Sequence, residues 1–279
     1  MSAPLIGLAG WSYPEWKGVV YPSAGPHPLE TLSARFDVVE INSSFYPPLK
    51  PEVVKLWIRK VQANPRFRFT AKLHQRFTHA RILEDREIEE FKDGLRPLLR
   101  AGKLGAVLMQ FPWAFRFTAE NQEFFIRVRR AFHEFPLVAE MRHSSWMAEE
   151  AIGTFLDYRV GFCNIDQAQS IRAMPPTALL TSHLGYVRLH GRARGHLYSE
   201  AELAEWARRI ERIGRYADST FVIFNNDAGA RSVVNAMQLQ AMISGVRPSA
   251  PRELRRRYPV ELEWFGPRRA DQQCLFPAA

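Results

Sequence analysis

Short apolar runs alternate with longer amphipathic patterns along most of the chain. Runs such as Leu5 to Ala9 have the length and composition of buried β-strands, and between the runs apolar residues recur every three or four positions, as on one face of a helix. We predict strands within residues 5–9, 37–46, 67–73, 105–112, 136–142, 160–166, 185–191 and 220–229. We predict helices within residues 29–36, 51–62, 84–100, 119–132, 149–158, 200–213 and 232–243, and a polar loop at residues 74–83.

This alternation predicts a single (β/α)8 TIM barrel, which is an α/β fold. Strands that alternate with helices pair in parallel through right-handed crossovers, and eight such units close a barrel of about 250 residues. An open doubly wound sheet is the alternative. It usually has a glycine-rich phosphate turn after its first strand, and Gly7, Gly10 and Gly18 lack that spacing. We therefore assign residues 1–245 to the barrel domain.

Residues 246–279 are predicted to form an arginine-rich C-terminal extension outside the barrel. The segment contains seven arginines and four acidic residues. We expect an extended arm that packs on the surface through Trp264 and Phe265, or else a partly disordered tail. Such an arm can help to hold nucleic acid, although a solvated tail is the simpler interpretation.

Polar side chains collect at the ends of the predicted strands. At the fifth strand, Glu140 and Arg142 lie two residues apart, so both point to the same face. Both faces of a barrel strand are buried, and the polar residues are therefore expected to point into the lumen at its C-terminal end, where TIM barrels have their active sites. The residues of this kind are Glu40, Asn42, Lys72, Gln110, Glu140, Arg142, Asp166, Arg188, His190 and Asn225.

The segments around these residues resemble a known family. The matching motifs are Gly10-Trp-Ser-Tyr13, Glu40-Ile-Asn-Ser-Ser-Phe-Tyr46, Lys72 with Thr78-His79, Gln110-Phe-Pro112, Glu140-Met-Arg-His143, Val187-Arg-Leu-His-Gly191 and Phe224-Asn-Asn-Asp227 with Asn235-Ala236. In type and order they are similar to those of the YecE-like proteins, domain of unknown function family 72. The resemblance implies a TIM barrel and brings no settled reaction.

Composition and charge narrow the class of protein. The formal net charge of +9 favours anionic partners such as phosphorylated metabolites or nucleic acid, although a genome rich in arginine codons explains it equally well. With only Cys163 and Cys274, a disulfide framework is excluded and a reducing cytoplasm is expected. No apolar run reaches the roughly 20 residues of a membrane span, so no membrane partner is expected. The sequence does not determine the oligomeric state.

The charged residues at the predicted mouth allow several reactions. Glu40 and Glu140 would face each other across a barrel, as the carboxylates of a glycosidase do, but neighbouring cations would depress both pKa values and disfavour a general acid. Arg142 and Arg188 can each bind an oxyanion with two N–H groups. Lys72 can form a Schiff base if its pKa is lowered, and the alternative is an ion pair with Glu40 or Glu140.

We therefore predict an enzyme of the hydrolase or lyase/isomerase class that acts on an anionic, phosphate-bearing substrate at the C-terminal mouth. The candidate catalytic residues are Glu40, Lys72, Glu140 and His190. The candidate substrate-binding residues are Trp11, Tyr13, Asn42, Tyr46, His79, Gln110, Arg142, His143, Asp166, Arg188, Asn225, Asn226 and Asp227. No cofactor is predicted.

Two other functions stay open at this point. One is a nucleic-acid-binding protein without turnover, which would use the basic mouth and the arginine-rich tail. The other is a barrel that cleaves phosphodiesters or isomerises sugars with a divalent metal. The sequence has no His-x-His or His-Glu-x-x-His spacing, and the interleaved cations would repel a metal ion, so no metal ligand is assigned.

Overall fold

The computed structural model describes residues 2–266, and in them the eight predicted strands form one closed barrel. All strands are parallel and pair in chain order, and the last strand closes onto the first. The strands are β1 Leu5–Ala9, β2 Val38–Ile41, β3 Arg68–Lys72, β4 Leu104–Gln110, β5 Leu137–Glu140, β6 Gly161–Asp166, β7 Leu184–Leu189 and β8 Ser219–Phe224. The predicted TIM-barrel class is confirmed.

Helices surround the barrel in the connections between the strands. They are α1 Pro28–Ser33, α2 Pro51–Lys60, α3 Gln75–Thr78, α4 Asp85–Arg100, α5 Ala119–Ala131, α6 Glu149–Asp157, α7 Glu200–Gly214, α8 Arg231–Ser244 and α9 Arg252–Arg257. Short 3-10 turns occur at Pro14–Trp16, Ser43–Phe45, Ser144–Met147 and Ala228–Ala230. No helix among the described residues is long and apolar enough to span a membrane.

Local capping explains where two of these helices begin. At α7, Ser199 and Glu202 exchange hydrogen bonds between side chain and backbone, which is the capping box that this spacing predicts. Residues 74–83 were expected to be a loop, and this expectation is wrong for Gln75–Thr78. There, Nδ1 of His74 accepts a hydrogen bond from the backbone N–H of Arg76 at 3.0 Å and starts a single helical turn.

The barrel lumen is filled by large side chains below the polar mouth. The Phe221 ring packs inside the barrel, 6.1 Å from the Tyr186 ring between centroids. A Cβ atom on Gly105 of β4 would lie 2.5 Å from that phenylalanine ring. Only glycine therefore fits at this position, and the lumen is a packed core and not a pore.

The described part of the C-terminal extension packs against the barrel and includes a helix. The prediction of an extended arm is therefore wrong for Arg252–Arg257, where Leu254 and Tyr258 anchor the segment as buried apolar residues. Phe265 is buried as expected, but the Trp264 side chain is 62% exposed and does not hold the segment down. The division at residue 245 stays a prediction, and residues 267–279, with Cys274, lie outside the described residues.

Candidate functional site

Arg188 of β7 lies in the lumen between two carboxylates. Its Nη2 atom is 2.7 Å from Oε1 of Glu40 on β2, and its Nη1 atom donates to Oε2 of Glu140 on β5. All three side chains have an exposed fraction of 0%. Because polar and apolar residues alternate on these short strands, the charged residues point into the lumen while their neighbours pack under the helices. The facing carboxylates that the sequence predicts are thus bridged by an arginine.

The charges of this network keep each other ionised. Burial alone would lower the pKa of Arg188, but Glu140 and Glu40 raise it well above its usual range. Burial would raise the pKa of Glu140, but Arg142, Arg188 and His190 hold it well below its usual range. A carboxylate that keeps no proton near neutral pH cannot act as a general acid, so the geometry disfavours a glycosidase.

Tyr186 and Thr70 add a hydrogen-bonded layer to this network. The hydroxyl oxygen of Tyr186 lies 3.0 Å from Oε2 of Glu40 and 2.9 Å from Oγ1 of Thr70. Burial and then Glu40 raise the pKa of Tyr186 well above its usual range, so the phenol stays protonated. Its O–H group donates a hydrogen bond to Glu40. Neither residue was predicted for the site. Each lies two positions before a predicted site residue, Arg188 or Lys72, and strand alternation was the signal that could have found them.

We expect Tyr186→Phe to lower the free energy of unfolding by about 1–2 kcal/mol, because it leaves a buried carboxylate oxygen with one donor fewer. Urea unfolding at pH 7 measures the change. Tyr216→Phe is the matched control, because its side chain is 80% exposed and the same loss of a hydroxyl should have almost no effect. Equal stability of the two variants would contradict the role given to Tyr186.

Gln110 and Arg142 lie between Glu140 and the solvent. Gln110 Nε2 donates to Oε1 of Glu140 at 2.7 Å, and Nη2 of Arg142 is 2.6 Å from the same oxygen. The Arg142 side chain is 28% exposed, whereas Glu140 is not exposed at all. Gln167, which the sequence did not indicate, donates to the carbonyl oxygen of Arg142 at 3.1 Å and holds the end of β5. A ligand entering the mouth therefore meets the cation of this pair and not its carboxylate.

His190 joins β7 to the same carboxylate as a neutral side chain. Its Nε2 atom is 3.3 Å from Oε1 of Glu140, and its Nδ1 atom is 2.9 Å from Nδ2 of Asn225. Burial lowers the pKa of His190 to about 4 even though Glu140 opposes the shift, so the ring is neutral at pH 7. The Nε2 atom also lies 3.2 Å from Nη1 of Arg188, so polar groups contact both nitrogens of the ring. With both nitrogens engaged, His190 positions Glu140 and is not a free base.

A cavity of about 510 Å³, here called the mouth cavity, opens beside this network at the C-terminal end of the barrel. The residues that line it are His79, Gln110, Phe111, Pro112, Trp113, Arg142, Gln167, Ala168, His190 and Gly191. None of these described residues is Asp or Glu, and Arg142 supplies a permanent positive charge. The 41% exposed ring of Trp113 adds an apolar wall that the sequence did not indicate. The cavity thus combines a cationic edge with an apolar one.

Lys72 is the last residue of β3, at the same end of the barrel as this cavity, but it is not one of the residues that line the cavity. Its Nζ atom is 5.6 Å from the centroid of the Phe45 ring, and that ring is 5.1 Å from the ring of His79, which lines the cavity. The predicted ion pair of Lys72 with Glu40 or Glu140 is not present, because within residues 2–266 no carboxylate oxygen lies within 4.0 Å of Nζ.

Trp11, Tyr13 and Asn42 form a second group, at the ends of β1 and β2. They line a separate cavity of about 410 Å³. The rings of Trp11 and Trp57 meet edge to face in its wall, with centroids 4.9 Å apart. The Oδ1 atom of Asn42 is buried and has no hydrogen-bond partner among the described residues. The sequence placed these side chains with Arg142 in one mouth, whereas the structure gives them a cavity of their own.

Tyr13 and Asp227 are hydrogen-bonded to each other next to this second cavity. The hydroxyl of Tyr13 contacts the carbonyl oxygen of Ala9 and, at 2.9 Å, Oδ2 of Asp227. A phenol has one proton and can serve only one of two acceptors. Burial raises the pKa of Asp227 to about 6. Protonated Asp227 donates to Tyr13 and both contacts are satisfied, whereas ionised Asp227 competes with Ala9 for the same proton.

Two predicted binding residues are used elsewhere or point away from both cavities. His143 is buried, and its Nδ1 atom accepts a hydrogen bond from the backbone N–H of Ser145 at 3.1 Å, which caps the turn Ser144–Met147. Tyr46 is 64% exposed and packs against Phe45. Neither side chain lines the mouth cavity.

Asp166 and Asn226 hold loops in place. Oδ1 of Asp166 accepts from Nε of Arg192 at 3.2 Å. Asn226 donates to the carbonyl oxygen of His196 and to Oδ1 of Asn235, each at 3.0 Å. These hydrogen bonds join the loop after β7 to α8. Part of the Asn225-Asn226-Asp227 motif after β8 therefore has a structural role, because it fixes the position of that loop.

No group of three or more His, Cys, Asp or Glu side chains with the geometry of a metal site occurs in residues 2–266. The carboxylates of Glu40 and Glu140 are already occupied by arginine, which repels a cation. The donor set of the mouth therefore does not fit the metal-dependent alternative.

Eight parallel strands that close in chain order, with helices in the connections between them, define an α/β barrel of the TIM type. The chain belongs to the DUF72 family, since the model of that family, described as a protein of unknown function, matches residues 5–256. The predicted resemblance to the YecE-like proteins is thereby confirmed.

Similar proteins agree with this assignment. UPF0759 protein YunF of Bacillus subtilis (strain 168) is 26% identical over 284 residues, which cover 89% of this chain and 98% of the relative. UPF0759 protein YecE of Escherichia coli (strain K12) is 34% identical over 112 residues, which cover 39% of this chain and 38% of the relative. A crystal structure of a DUF72 family protein from Thermotoga maritima MSB8 aligns with a TM-score of 0.77 at 27% identity, over 87% of this chain and 100% of that chain. Another, from Enterococcus faecalis V583, has a TM-score of 0.77 at 23% identity, over 87% of this chain and 96% of that chain, and shows the fold.

Proposed function

We propose that the protein is an enzyme that acts on a small organic anion, bearing a phosphate or carboxylate group, in the mouth cavity. The observation that carries the proposal is the order of charges along the barrel axis. Glu40 and Glu140 are fully buried and neutralised by Arg188, whereas Arg142 is 28% exposed beside the cavity. The carboxylates thus stiffen and orient the cations, and the surface that faces a ligand is positive.

Arg142 is the main anion-binding residue in this proposal. Only its Nη2 atom pairs with Glu140, so further N–H groups of the guanidinium are free to donate to an oxyanion. Gln110 and His79 lie in the same lining and add polar contacts. Trp113 and Phe111 provide an apolar surface for the organic part of the substrate. The sequence also predicted Arg188 as an oxyanion-binding residue. Because its side chain is fully buried, we propose that it positions Glu40 and Glu140 and does not contact the substrate.

The test is calorimetric titration with inorganic phosphate and with acetate. We expect Arg142→Gln to weaken binding by about 10- to 100-fold, which corresponds to one charge-assisted hydrogen-bonding group. Arg66→Gln is the matched control, because Arg66 is 53% exposed and pairs with Asp37 close to the N-terminal end of β3, at the opposite end of the barrel. Absence of anion binding, or equal loss in both variants, would overturn the proposal.

Turnover is tested separately by phosphorus NMR of a mixture of sugar phosphates incubated with the protein. We expect new resonances with the natural chain and none with Arg142→Gln. Anion binding without any turnover would favour a binding protein over an enzyme.

A nucleic-acid-binding protein is the second candidate, and the position of α9 favours it. The Tyr258 hydroxyl donates to the carbonyl oxygen of Gly229 at 2.7 Å, which ties the arginine-rich helix to the loop after β8 on the mouth side of the barrel. Exposed arginines such as Arg256 and Arg257 then extend the positive surface of the mouth. Affinity for single-stranded DNA that falls steeply with added salt and with truncation at Gly245 would support this candidate. A cytoplasmic location stays a prediction from the cysteine content.

A further inference from the structure

Lys72 is the cation that the buried network leaves without a carboxylate. The lumen brings two carboxylates, Glu40 and Glu140, together with two arginines, Arg142 and Arg188, which occupy them. In residues 2–266 the Nζ atom of Lys72 has no carboxylate oxygen within 4.0 Å, and it lies over the Phe45 ring, 5.6 Å from the ring centroid. Partial burial removes water from the ammonium group, and this loss of hydration favours the uncharged amine.

The backbone holds Lys72 firmly at the mouth. Ser44 Oγ donates to the carbonyl oxygen of Lys72 at 2.7 Å, and the following residue, Leu73, donates its backbone N–H to the carbonyl oxygen of Leu108 at 2.9 Å. The amine is therefore presented from the rigid end of β3 and not from a loop. Burial and then Arg188 lower the pKa of Lys72, although Glu40 and Glu140 oppose the shift.

We propose that the amine of Lys72 is a nucleophile that forms an imine with a carbonyl group of the anionic substrate. This inference rests on the proposed function and assigns the substrate to the keto or aldehyde phosphates and keto acids. Arg142 would hold the anionic group and place the carbonyl carbon near Nζ. His79 lines the cavity, its ring is 5.1 Å from the Phe45 ring, and its imidazole can carry a proton for the step.

The step balances without any further reactant. The nitrogen lone pair attacks the carbonyl carbon, a C–N bond forms, and one proton moves from nitrogen to the carbonyl oxygen to give a carbinolamine. The C–O bond then breaks, and the oxygen leaves as water after taking a second proton. The product is a protonated imine, which can accept electrons from a bond at the adjacent carbon, as lyases and isomerases require.

Borohydride trapping tests the inference. The full chain is incubated with dihydroxyacetone phosphate or with pyruvate, reduced with sodium borohydride, and analysed by intact mass and peptide mapping. We expect one adduct per chain, on Lys72, that is lost in Lys72→Arg and suppressed by excess inorganic phosphate. Lys103→Arg is the matched control, because burial also lowers the pKa of Lys103, which lies before β4 at the opposite end of the barrel.

Mapping the adduct in the natural chain keeps the test valid even if Lys72→Arg folds poorly. Adducts spread over several lysines, or an adduct on Lys103 in place of Lys72, would overturn the inference. So would the absence of an adduct with both probes while phosphate still binds, and in that case the proposed anion site would stand. Loss of both phosphate binding and trapping would reject the proposed function itself.

Discussion

Replacing Arg188 by alanine is expected to destabilise the protein by about 3–5 kcal/mol at pH 7. The substitution removes the only residue that contacts both Glu40 and Glu140 among those described, and it leaves two carboxylates buried without their main partner. Water cannot replace the guanidinium without opening the lumen, because all three side chains are fully buried.

Urea unfolding at several pH values measures this effect. In the natural chain the depressed pKa of Glu140 contributes stability that is present above the unfolded-state pKa, about 4.3, and is lost as the pH falls through the folded-state pKa. The variant lacks part of that contribution, so its deficit should shrink as the pH is lowered below about 4.

Arg215→Ala is the matched control for this prediction. Arg215 pairs with Glu211 on the helix surface and is 56% exposed, so its removal should change stability by less than about 1 kcal/mol. If Arg188→Ala does not fold, Arg188→Lys keeps one positive charge but cannot span both carboxylates, and it should lose part of the same stability. A deficit no larger than that of Arg215→Ala, or one independent of pH, would show that the network does not hold the barrel together.

The second large effect is expected for Asp227→Asn. Replacing this aspartate by asparagine should raise the free energy of unfolding by about 2–3 kcal/mol at pH 8. The pKa of this carboxyl group is raised from 3.8 to about 6, first by burial. The folded state therefore holds the proton more tightly than the unfolded state, and stability falls as the pH rises from about 4 to about 6. Asparagine cannot ionise, and its amide can donate to Tyr13 at every pH.

The difference in unfolding free energy between Asp227→Asn and the natural chain should therefore be small at pH 4 and reach its full value above pH 7. The charged and polar groups around Asp227 are Tyr13, Ser232, Arg188 and Glu40, and none of them is altered. Asp93→Asn, at a position 64% exposed, is the control and should show no comparable rise with pH. A stability difference that does not change between pH 4 and pH 8 would contradict the raised pKa of Asp227 in the folded state.

The hydrophobic pattern predicted every strand of the barrel because the burial of a strand or a helix is visible in the spacing of residues that are neighbours in the sequence. Both faces of a barrel strand are buried, so each strand appears as a short apolar run, and each helix shows the three-to-four spacing of one buried face. The misplaced elements depended on side-chain contacts that spacing does not encode. His74 caps a turn inside a predicted loop, and Leu254 with Tyr258 packs a helix within a predicted extended arm.

The candidate site was predicted in part. The alternation of polar and apolar residues along the strands correctly predicted that Glu40, Glu140 and Arg188 point into the same lumen. It did not separate the residues that face a ligand from those that support them, because burial depth depends on where each strand ends relative to its neighbours. Trp113 and Gln167 were missed because they follow the strands in loops, where no periodicity applies.

The sequence by itself determined the fold class, the family and the set of charged residues that meet at the C-terminal end of the barrel. These follow from periodicity and from residue types at strand ends. Only the tertiary structure decided which cations pair with which carboxylates, since pairing depends on distances of a few ångströms between strands far apart in the chain. It placed Arg188 between Glu40 and Glu140, and it left Lys72 over the Phe45 ring without a carboxylate partner among the described residues, because the arginines already occupy both carboxylates.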